Sequence, residues 1–322
     1  MPERQHLEFE RPLVELEKRI SDMKDFSIGE NIELDGEIVS LQKKLERLRQ
    51  EIYDNLTRWQ RVQLSRHPRR PFTMDYVKMM ATDWVELHGD RGYADDKAMI
   101  GGLATIGDRR VLVVGQQKGR DTKEKLERNF GMAHPEGYRK ALRLFRMAEK
   151  FGLPIVVLVD TPGAFPGIGA EERGQAEAIA FNIREMARIR VPIVVIVIGE
   201  GASGGALGIG VGDTVMMLEY AWYSVISPEG CAAILWRDAA KAPEAAEALK
   251  PASADLIDLG IVDRVIAEPE GGAHNDYDAA GKAVREAILQ ELDKLSKLPI
   301  DELLDRRLAK YRAMGEFTEV RG

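Results

Sequence analysis

The chain has 322 residues, a formal net charge of −7 and a hydrophobic content of 44%, values typical of a globular protein with one large domain or two small ones. The acidic balance argues against general nucleic-acid binding, and the single cysteine, Cys231, excludes an internal disulfide and a cysteine-rich zinc site. No apolar run approaches the roughly 20 residues that span a bilayer, and residues 1–6 do not resemble a signal peptide, so we expect a cytoplasmic protein that binds no membrane and no nucleic acid.

The first 70 residues predict a helical hairpin. Apolar side chains recur every three or four residues over 34–52, and Trp59 extends this stripe, while charged residues fill the gaps. This pattern is typical of a helix with a narrow apolar seam. A shorter helix over 12–26 and turn residues over 27–31 precede it. The seam is too short for a free coiled coil, so we expect the hairpin to pack on its own chain or on another subunit.

Residues 72–117 predict several elements, and a charged segment follows them. These elements are a helix over 72–87, a polar loop over 88–96 and two strands over 99–106 and 111–117. In the charged segment, 118–125, Lys118 and Arg120 are candidates to bind an anionic group of a substrate, such as a phosphate. A mobile surface loop explains these charges equally well.

The run over 153–160 predicts a buried strand, because it is short, apolar and rich in β-branched residues. Prolines and glycines at 161–169 then predict a loop that allows close backbone approach. A helix over 171–189 and a strand over 192–198 follow, which requires a right-handed crossover between parallel strands. Ligands of such sheets bind at the carboxyl ends of the strands. The loop residues that we take as substrate-binding candidates are Gly163, Ala164 and Phe165.

A glycine cluster follows the strand at 192–198 and opens a helix. With no side chains in the way, its consecutive N–H groups lie at the positive end of a helix dipole, where they can hold an oxygen that gains negative charge. We therefore predict that Gly204 and Gly205 form the oxyanion hole of an enzyme that acts on a carbonyl. Gly201 and Ser203, from the same cluster, are further substrate-binding candidates.

The rest of the chain predicts short strands and helices. The strands are predicted over 214–219, 222–226 and 261–266, and the helices over 230–248 (two), 252–259, 279–298 and 301–311. Ser227 and Pro228 predict the start of the first of these helices, as its N-cap and its first-turn proline.

A serine hydrolase is one rival interpretation of the glycine cluster. Residues 201–205 match the G-x-S-x-G pattern of a nucleophile elbow, with Ser203 as the nucleophile. His274 is the only histidine that follows it in the sequence. The acids that could complete a triad are Asp255, Asp258 and Asp263. As an N-cap, however, Ser203 already has a sufficient structural role.

Dinucleotide and metal sites fit the sequence less well. The glycines at 208–213 do not form the G-x-G-x-x-G fingerprint, and five scattered histidines provide no ligand cluster, so we expect no bound metal. The chain thus offers backbone donors but no obvious acid, base or nucleophile. This combination favours a reaction in which the substrate or a cofactor supplies the base.

Long runs of residues spread along the chain carry a family resemblance. They are 7–13, 66–71, 87–91, 116–122, 129–132, 160–169, 199–213, 226–232 and 271–274. In these runs, and over nearly its whole length, the chain resembles the α subunit of bacterial acetyl-CoA carboxylase carboxyltransferases. Runs of this length and spread are far more specific than any short motif.

This resemblance implies a crotonase-like (ClpP/crotonase) α/β fold, a spiral of ββα units, over residues 71–322, with the helical hairpin over 1–70. It implies an α2β2 carboxyltransferase that is active only with its β subunit, which has the same fold and carries a zinc ribbon. The assembly would transfer the carboxyl group of carboxybiotin to acetyl-CoA and form malonyl-CoA for fatty acid biosynthesis. The pair Gly204–Gly205 would hold an enolate oxygen, either of acetyl-CoA or of biotin.

The resemblance also implies biotin as the cofactor, carried on a separate biotin carboxyl carrier protein, with biotin carboxylase as a further partner. The sequence has no P-loop and no Met-Lys-Met biotinylation motif, so we expect both functions on other chains. Two other functions stay open. One is a stand-alone crotonase-type acyl-CoA hydratase or isomerase that uses Glu171 or Glu172. The other is a non-catalytic partner whose hairpin mediates assembly.

Overall fold

The computed structural model describes residues 6–30 and 34–315, and its strands form one eight-stranded sheet. The strands are β1 (Thr82–Glu86), β2 (Met99–Ile106), β3 (Arg109–Gln116), β4 (Ile155–Thr161), β5 (Ile193–Ala202), β6 (Thr214–Leu218), β7 (Trp222–Ser224) and β8 (Arg264–Ile266). Their order is β1-β2-β3-β4-β5-β6-β8, and β7 pairs with the end of β5. The pairs β1–β2 and β2–β3 are antiparallel, and the other pairs are parallel.

Helices connect and cover these strands. They are α1 (Arg11–Glu30), α2 (Asp35–Asp54), α3 (Arg58–Ser65), α4 (Thr73–Met80), α5 (Thr122–Glu127), α6 (Pro135–Phe151), α7 (Ile168–Glu172), α8 (Gln175–Met186), α9 (Ser203–Leu207), α10 (Pro228–Trp236), α11 (Ala242–Leu249), α12 (Ser253–Asp258), α13 (Tyr277–Leu295) and α14 (Ile300–Arg312). Short 3-10 helices lie at Glu8–Glu10, Asn129–Gly131 and Ala239–Lys241. Among the helices of the described ranges, none has the length and apolar character that crossing a membrane requires.

The strands β4 and β5 form the centre of the core. Every residue of both strands is buried, which explains why their sequences read as continuous apolar runs. The chain crosses from β4 to β5 through α7 and α8, and the two strands pair in parallel, as the sequence predicts. Because β3, β4 and β5 run in the same direction, their carboxyl ends meet at one edge of the sheet.

Several predicted boundaries are wrong. The helix predicted over 72–87 is the helix α4 followed by the edge strand β1. The helix predicted over 171–189 is divided between α7 and α8, because Gly174 has a left-handed φ of 81° there. The strand β5 extends through Gly199 and Gly201 to Ala202, so the first half of the glycine cluster is sheet rather than loop.

The predicted hairpin is present, with different limits. The helices α1 and α2 pack against each other, but α2 ends at Asp54, and Thr57 caps the separate helix α3, which contains Trp59. Residues 27–30 are helical, contrary to the predicted turn, and Asn31 lies outside the described residues.

The hairpin packs on its own chain. Leu13 from α1 and Tyr53 from α2 form a small apolar cluster with Leu64 and Tyr220, which belong to the larger part of the molecule. The Tyr53 hydroxyl also donates a buried hydrogen bond of 2.5 Å to the Glu10 carboxylate. The sequence left open whether the hairpin packs on its own chain or on another subunit. The structure shows packing on its own chain.

Candidate active site

The glycine pair lies where β5 ends and α9 begins. Ser203 makes this turn with a left-handed φ of 56°, a conformation that strains a non-glycine residue. Gly204 and Gly205 follow in the first turn of α9. The N–H groups of a first helical turn have no acceptor within the helix, and they lie at its positive end. The two amides thus lie in the first turn of α9, at its positive end; that they hold a substrate oxygen stays a prediction.

The loop after β4 lies directly against this turn. A Cβ atom on Gly205 would lie 2.4 Å from the carbonyl carbon of Gly163 and 2.6 Å from the nitrogen of Ala164, so only glycine fits at this position. At Gly204 the nearest atom to such a Cβ would be Ile179 Cδ1 at 3.5 Å, an ordinary contact. The two predicted loops thus meet at the carboxyl edge of the sheet, with Gly205 buried and Gly204 half-buried.

Phe165 is fixed on the far side of the same loop. Its ring stacks on His134 with centroids 4.1 Å apart, and its N–H donates to the carbonyl of Ala133. Thr161 Oγ1 accepts a hydrogen bond of 3.1 Å from the N–H of Gly163 and lies 2.7 Å from its carbonyl oxygen. These contacts give the loop one conformation beside the glycine pair.

Gly201 and Ser203 have different surroundings. A Cβ on Gly201 would lie 2.8 Å from the ring of Tyr223, so this glycine permits close packing inside the sheet. The exposed Ser203 lies at the rim of an apolar cavity of about 340 Å³ that also includes Leu207 and Val225. Whether either residue contacts a substrate stays a prediction.

Lys118 is paired with two carboxylates and is not the exposed cation expected of a surface loop. Its ammonium lies 2.6 Å from the Asp160 carboxylate and 2.7 Å from that of Glu200. The two carboxylates are buried, and the Lys118 side chain is 13% exposed. Burial alone would lower the pKa of Lys118, but the two carboxylates outweigh burial and raise it. Burial raises the pKa of Asp160. For Glu200 the effect of burial is outweighed by Lys118 and Arg66, which lower the pKa.

Arg120 is also engaged by neighbouring groups. Its guanidinium donates to the Pro68 carbonyl at 2.7 Å, pairs with Asp75 and lies 3.9 Å from the centroid of the Phe72 ring. Lys118 and Arg120 nevertheless line one cavity of about 260 Å³, together with Phe130 and Pro162. This cavity opens at the carboxyl ends of β3, β4 and β5.

Polar residues that the sequence reasoning missed join this cavity to the glycine pair. Arg66 pairs with Glu200 at 2.6 Å and with Glu229. Gln116, at the end of β3, donates from Nε2 to the carbonyl of Gly205 at 3.0 Å and accepts at Oε1 from the N–H of Asp160 at 3.1 Å. One feature of the sequence could have identified Gln116, Asp160 and Glu200. Each is a polar residue at or near the carboxyl end of an apolar strand.

The structure does not assemble the rival hydrolase triad. His274 stacks on His67, with centroids 3.8 Å apart, and lines a different cavity from Ser203. Asp255 is bound by Arg58 at 2.5 and 2.8 Å, and Asp263 by Lys310 at 2.9 Å.

The remaining candidate acids and metal ligands add no second site. Glu171 and Glu172 are exposed on α7. Within residues 6–30 and 34–315, His, Cys, Asp and Glu side chains form no group of three that could hold a metal.

A family model described as "Acetyl co-enzyme A carboxylase carboxyltransferase-like" matches residues 6–315. The chain belongs to this family. A relative from Geobacter metallireducens is 56% identical over 319 residues, which cover 99% of this chain and 100% of the relative. One from Syntrophotalea carbinolica is 59% identical over 310 residues, covering 96% and 98%. Both are called acetyl-coenzyme A carboxylase carboxyl transferase subunit alpha.

Solved structures of this family's wider fold class agree with the architecture. The transcarboxylase 12S hexamer core, with methylmalonyl-coenzyme A bound, superposes with a TM-score of 0.56 at 20% identity over 77% of this chain. The match spans 42% of that transcarboxylase chain. A Pseudomonas malonate decarboxylase hetero-tetramer in complex with coenzyme A gives 0.55 at 18% identity, covering 66% and 85%. The crotonase-like fold that the sequence predicts is therefore confirmed.

Proposed function

We propose that this chain is the α subunit of an acetyl-CoA carboxylase carboxyltransferase. With a β subunit it transfers the carboxyl group of carboxybiotin to acetyl-CoA and forms malonyl-CoA for fatty acid biosynthesis. The observation that carries the proposal is the pair of first-turn amides at Gly204 and Gly205, set at the carboxyl edge of the sheet. Family membership supplies the substrates and the reaction.

The amides of Gly204 and Gly205 suit this reaction because they stabilise charge without taking part in proton transfer. Donation to an enolate-like oxygen is strongest in the transition state, and loss of one such donor typically costs about 3–4 kcal/mol. Gly204 is only half-buried, so its turn is open to a ureido or thioester oxygen. Biotin supplies the carboxyl group and is carried by a separate carrier protein, not by this chain.

The substrate site in this proposal lies on both sides of the glycine pair. Gly163, Ala164 and Phe165 form one wall, whose conformation is fixed by Thr161 and His134. Gly201 and Ser203 belong to the strand and turn that present the amides. Lys118 and Arg120 line the adjoining cavity, where their existing ion pairs make them positioned wall residues rather than free cations.

The proposed partners are a carboxyltransferase β subunit in an α2β2 assembly, the biotin carboxyl carrier protein and biotin carboxylase. Large apolar side chains that are exposed on α9, just after β7 and on α10 support a second chain, because exposed apolar surface favours association. These side chains, between 40% and 74% exposed, are Leu207, Val225, Ile234, Leu235 and Trp236. We place the assembly in the cytoplasm, in keeping with the single cysteine.

Reconstitution tests the proposal. The chain and a β subunit are assayed for malonyl-CoA formation from acetyl-CoA and carboxylated carrier protein, alone and mixed. We expect transfer by the mixture only. Two results would contradict the proposal. One is that the mixture of the two chains forms no malonyl-CoA, and the other is that this chain alone hydrates crotonyl-CoA.

A matched pair of variants tests the role of the amides. Gly204→Pro removes the N–H group, and we expect malonyl-CoA formation to fall by about 10²–10³-fold. Gly204→Ala keeps the N–H group and adds a methyl group where there is room, so its rate is expected to stay within about threefold. Co-elution with the β subunit verifies that both variants assemble. Equal rates for the two variants would rule out the Gly204 amide as an oxyanion donor.

A further inference from the structure

The helix that carries the glycine pair is too short to hold itself in place. It has five residues, Ser203–Leu207, whereas isolated helices need about 12–15 residues to be even marginally stable. The direction of its amides must therefore be set by neighbouring groups. A shift of about 1 Å in such a group costs on the order of 10²-fold in rate, so those neighbours determine how well the amides act.

The carbonyl of Gly205 is held by side chains rather than by the helix. In a continued helix the N–H of Ile209 would donate to this carbonyl, but it donates instead to the carbonyl of Ala206 at 3.2 Å. The Gly205 carbonyl accepts from Gln116 Nε2 at 3.0 Å and, more weakly, from the Tyr138 hydroxyl at 3.4 Å. Both side chains are fully buried, so water does not compete for this bond.

Gln116 itself is fixed at its other end. Its Oε1 accepts from the N–H of Asp160 at 3.1 Å, and the Asp160 carboxylate accepts from the N–H of Glu200 at 2.9 Å and pairs with Lys118. Because the amide group of Gln116 is bonded at both its oxygen and its nitrogen, it cannot rotate without losing a buried hydrogen bond. The side chain thus connects the ends of β3 and β4 to the first turn of α9.

We propose that Gln116 is a positioning residue for the oxyanion site: with Tyr138 as a weaker second donor, it holds the Gly205 carbonyl and so fixes the direction of the Gly204 and Gly205 amides. The proposal rests on the function proposed above. Gln116 contacts no substrate and takes no part in proton transfer. Its effect is expected on the chemical step, where the amides act, rather than on binding of acetyl-CoA.

The test compares Gln116→Met with Gln117→Met in the reconstituted assembly. The adjacent Gln117 is also buried and also bonds backbone groups at both ends, the N–H of Met74 and the carbonyl of Lys118, but neither bond involves α9. We expect Gln116→Met to lower kcat by about 10- to 100-fold, with the KM for acetyl-CoA unchanged within about twofold. We expect Gln117→Met to lower kcat by less than about threefold, at a similar loss in Tm.

Amide hydrogen exchange gives a readout that does not depend on activity. In Gln116→Met, the amides of residues 203–208 are expected to exchange about five- to tenfold faster, and in Gln117→Met at the unchanged rate. If Gln116→Met does not fold, Tyr138→Phe provides a milder version, with a smaller gain in exchange over the same residues. Unchanged exchange at 203–208, or a loss of kcat that Gln117→Met matches, would overturn the proposal. A wild-type assembly without transferase activity would refute the proposed function, and the exchange rates would still decide what holds α9.

Discussion

The backbone of Gly163 occupies the space that any side chain on Gly205 would need. A Cβ built on Gly205 would lie 2.4 Å from the carbonyl carbon of Gly163, and backbone cannot yield as the end of a flexible side chain does. We therefore expect Gly205→Ala to separate α9 from the loop after β4. The expected cost is about 1–3 kcal/mol in the free energy of unfolding, together with loss of malonyl-CoA formation, measured by thermal unfolding and by the reconstituted assay.

Gly204→Ala is the matched control for this change. It introduces the same methyl group one residue earlier, where the nearest atom, Ile179 Cδ1, is 3.5 Å away. Its unfolding temperature is expected to equal or exceed that of the wild type, because alanine favours a helix over glycine. Equal stability of the two variants would show that the contact between Gly205 and Gly163 does not constrain the site.

Lys118 neutralises two buried carboxylates, so its removal has a predictable cost. Lys118→Met leaves Asp160 and Glu200 without their shared cation, and removal of one partner from a buried ion pair typically costs about 3–5 kcal/mol. We expect a loss of stability in this range at pH 8, measured by urea unfolding. Lys125→Met, which removes an exposed lysine at the rim of the same cavity, is expected to change stability by less than about 0.5 kcal/mol.

The pH dependence of Lys118→Met checks the cause of its instability. Without Lys118, the pKa of the Asp160 carboxyl, which burial already raises, is expected to rise further, and the lowered pKa of Glu200 to rise with it. A carboxyl with a raised pKa binds its proton more readily in the folded than in the unfolded state, so folding gains from acid. The stability gap to the wild type should therefore narrow from pH 8 to pH 5. A constant gap would mean that lost packing, not charge, causes the defect.

Around the glycine pair, local composition determines the secondary structure, so the sequence predicted these elements correctly. The apolar run before Asp160 and the glycines at 201–205 reveal a strand, a close-approach loop and a helix start without knowledge of distant contacts. Their meeting at the carboxyl edge then follows from the parallel pairing of the two strands. The predicted end of α2 was wrong, although the sequence contains the Thr57–Gln60 capping box with which α3 begins.

The ion pairs of Lys118 could not be predicted in the same way. A basic, polar segment after a strand has the composition of a surface loop, and only tertiary folding brings Glu200, 82 residues further on, to within 2.7 Å of the Lys118 ammonium. The same limit applies to Gln116, whose bonds to Asp160 and Gly205 join residues that are 44 and 89 positions away. Sequence patterns indicate which strand ends carry polar groups, but not how these groups pair.

The limits of the N-terminal domain provide a further prediction. We propose that the hairpin ends near Asn55 rather than at residue 70, because Val62 and Leu64 are fully buried and Arg70 forms a buried pair with Glu268 at 2.6 Å. A chain that begins at Leu56 should therefore still unfold cooperatively, at a lower temperature. A chain that begins at Phe72 should not fold, since Glu268 would lose its buried cation. Circular dichroism during heating shows whether each truncated chain unfolds cooperatively. Cooperative unfolding of the chain that begins at Phe72 would favour the boundary at residue 70.

His274 is expected to make the protein sensitive to acid. Burial, together with the neighbouring His67, Arg70 and Arg69, lowers the pKa of His274 to about 3, whereas a histidine in the unfolded chain titrates near 6.5. Below about pH 6.5 the unfolded chain binds a proton that the folded chain does not, so stability falls as the pH falls. Well below pH 6.5 the free energy of unfolding falls by about 1.4 kcal/mol per pH unit. The total fall between pH 6.5 and pH 5 is about 1.5–2 kcal/mol.

The variant His274→Gln isolates this contribution, because glutamine stays neutral over the whole range. Urea unfolding at pH 8, 6.5 and 5 should give the variant a shallower decline in the free energy of unfolding than the wild type, by about 1.5–2 kcal/mol at pH 5. His88→Gln is the control, since the exposed His88 side chain pairs with Asp95 at the surface and is solvated. Parallel declines for wild type and His274→Gln would mean that His274 is protonated in the folded protein, and that its stacking on His67 does not require a neutral ring.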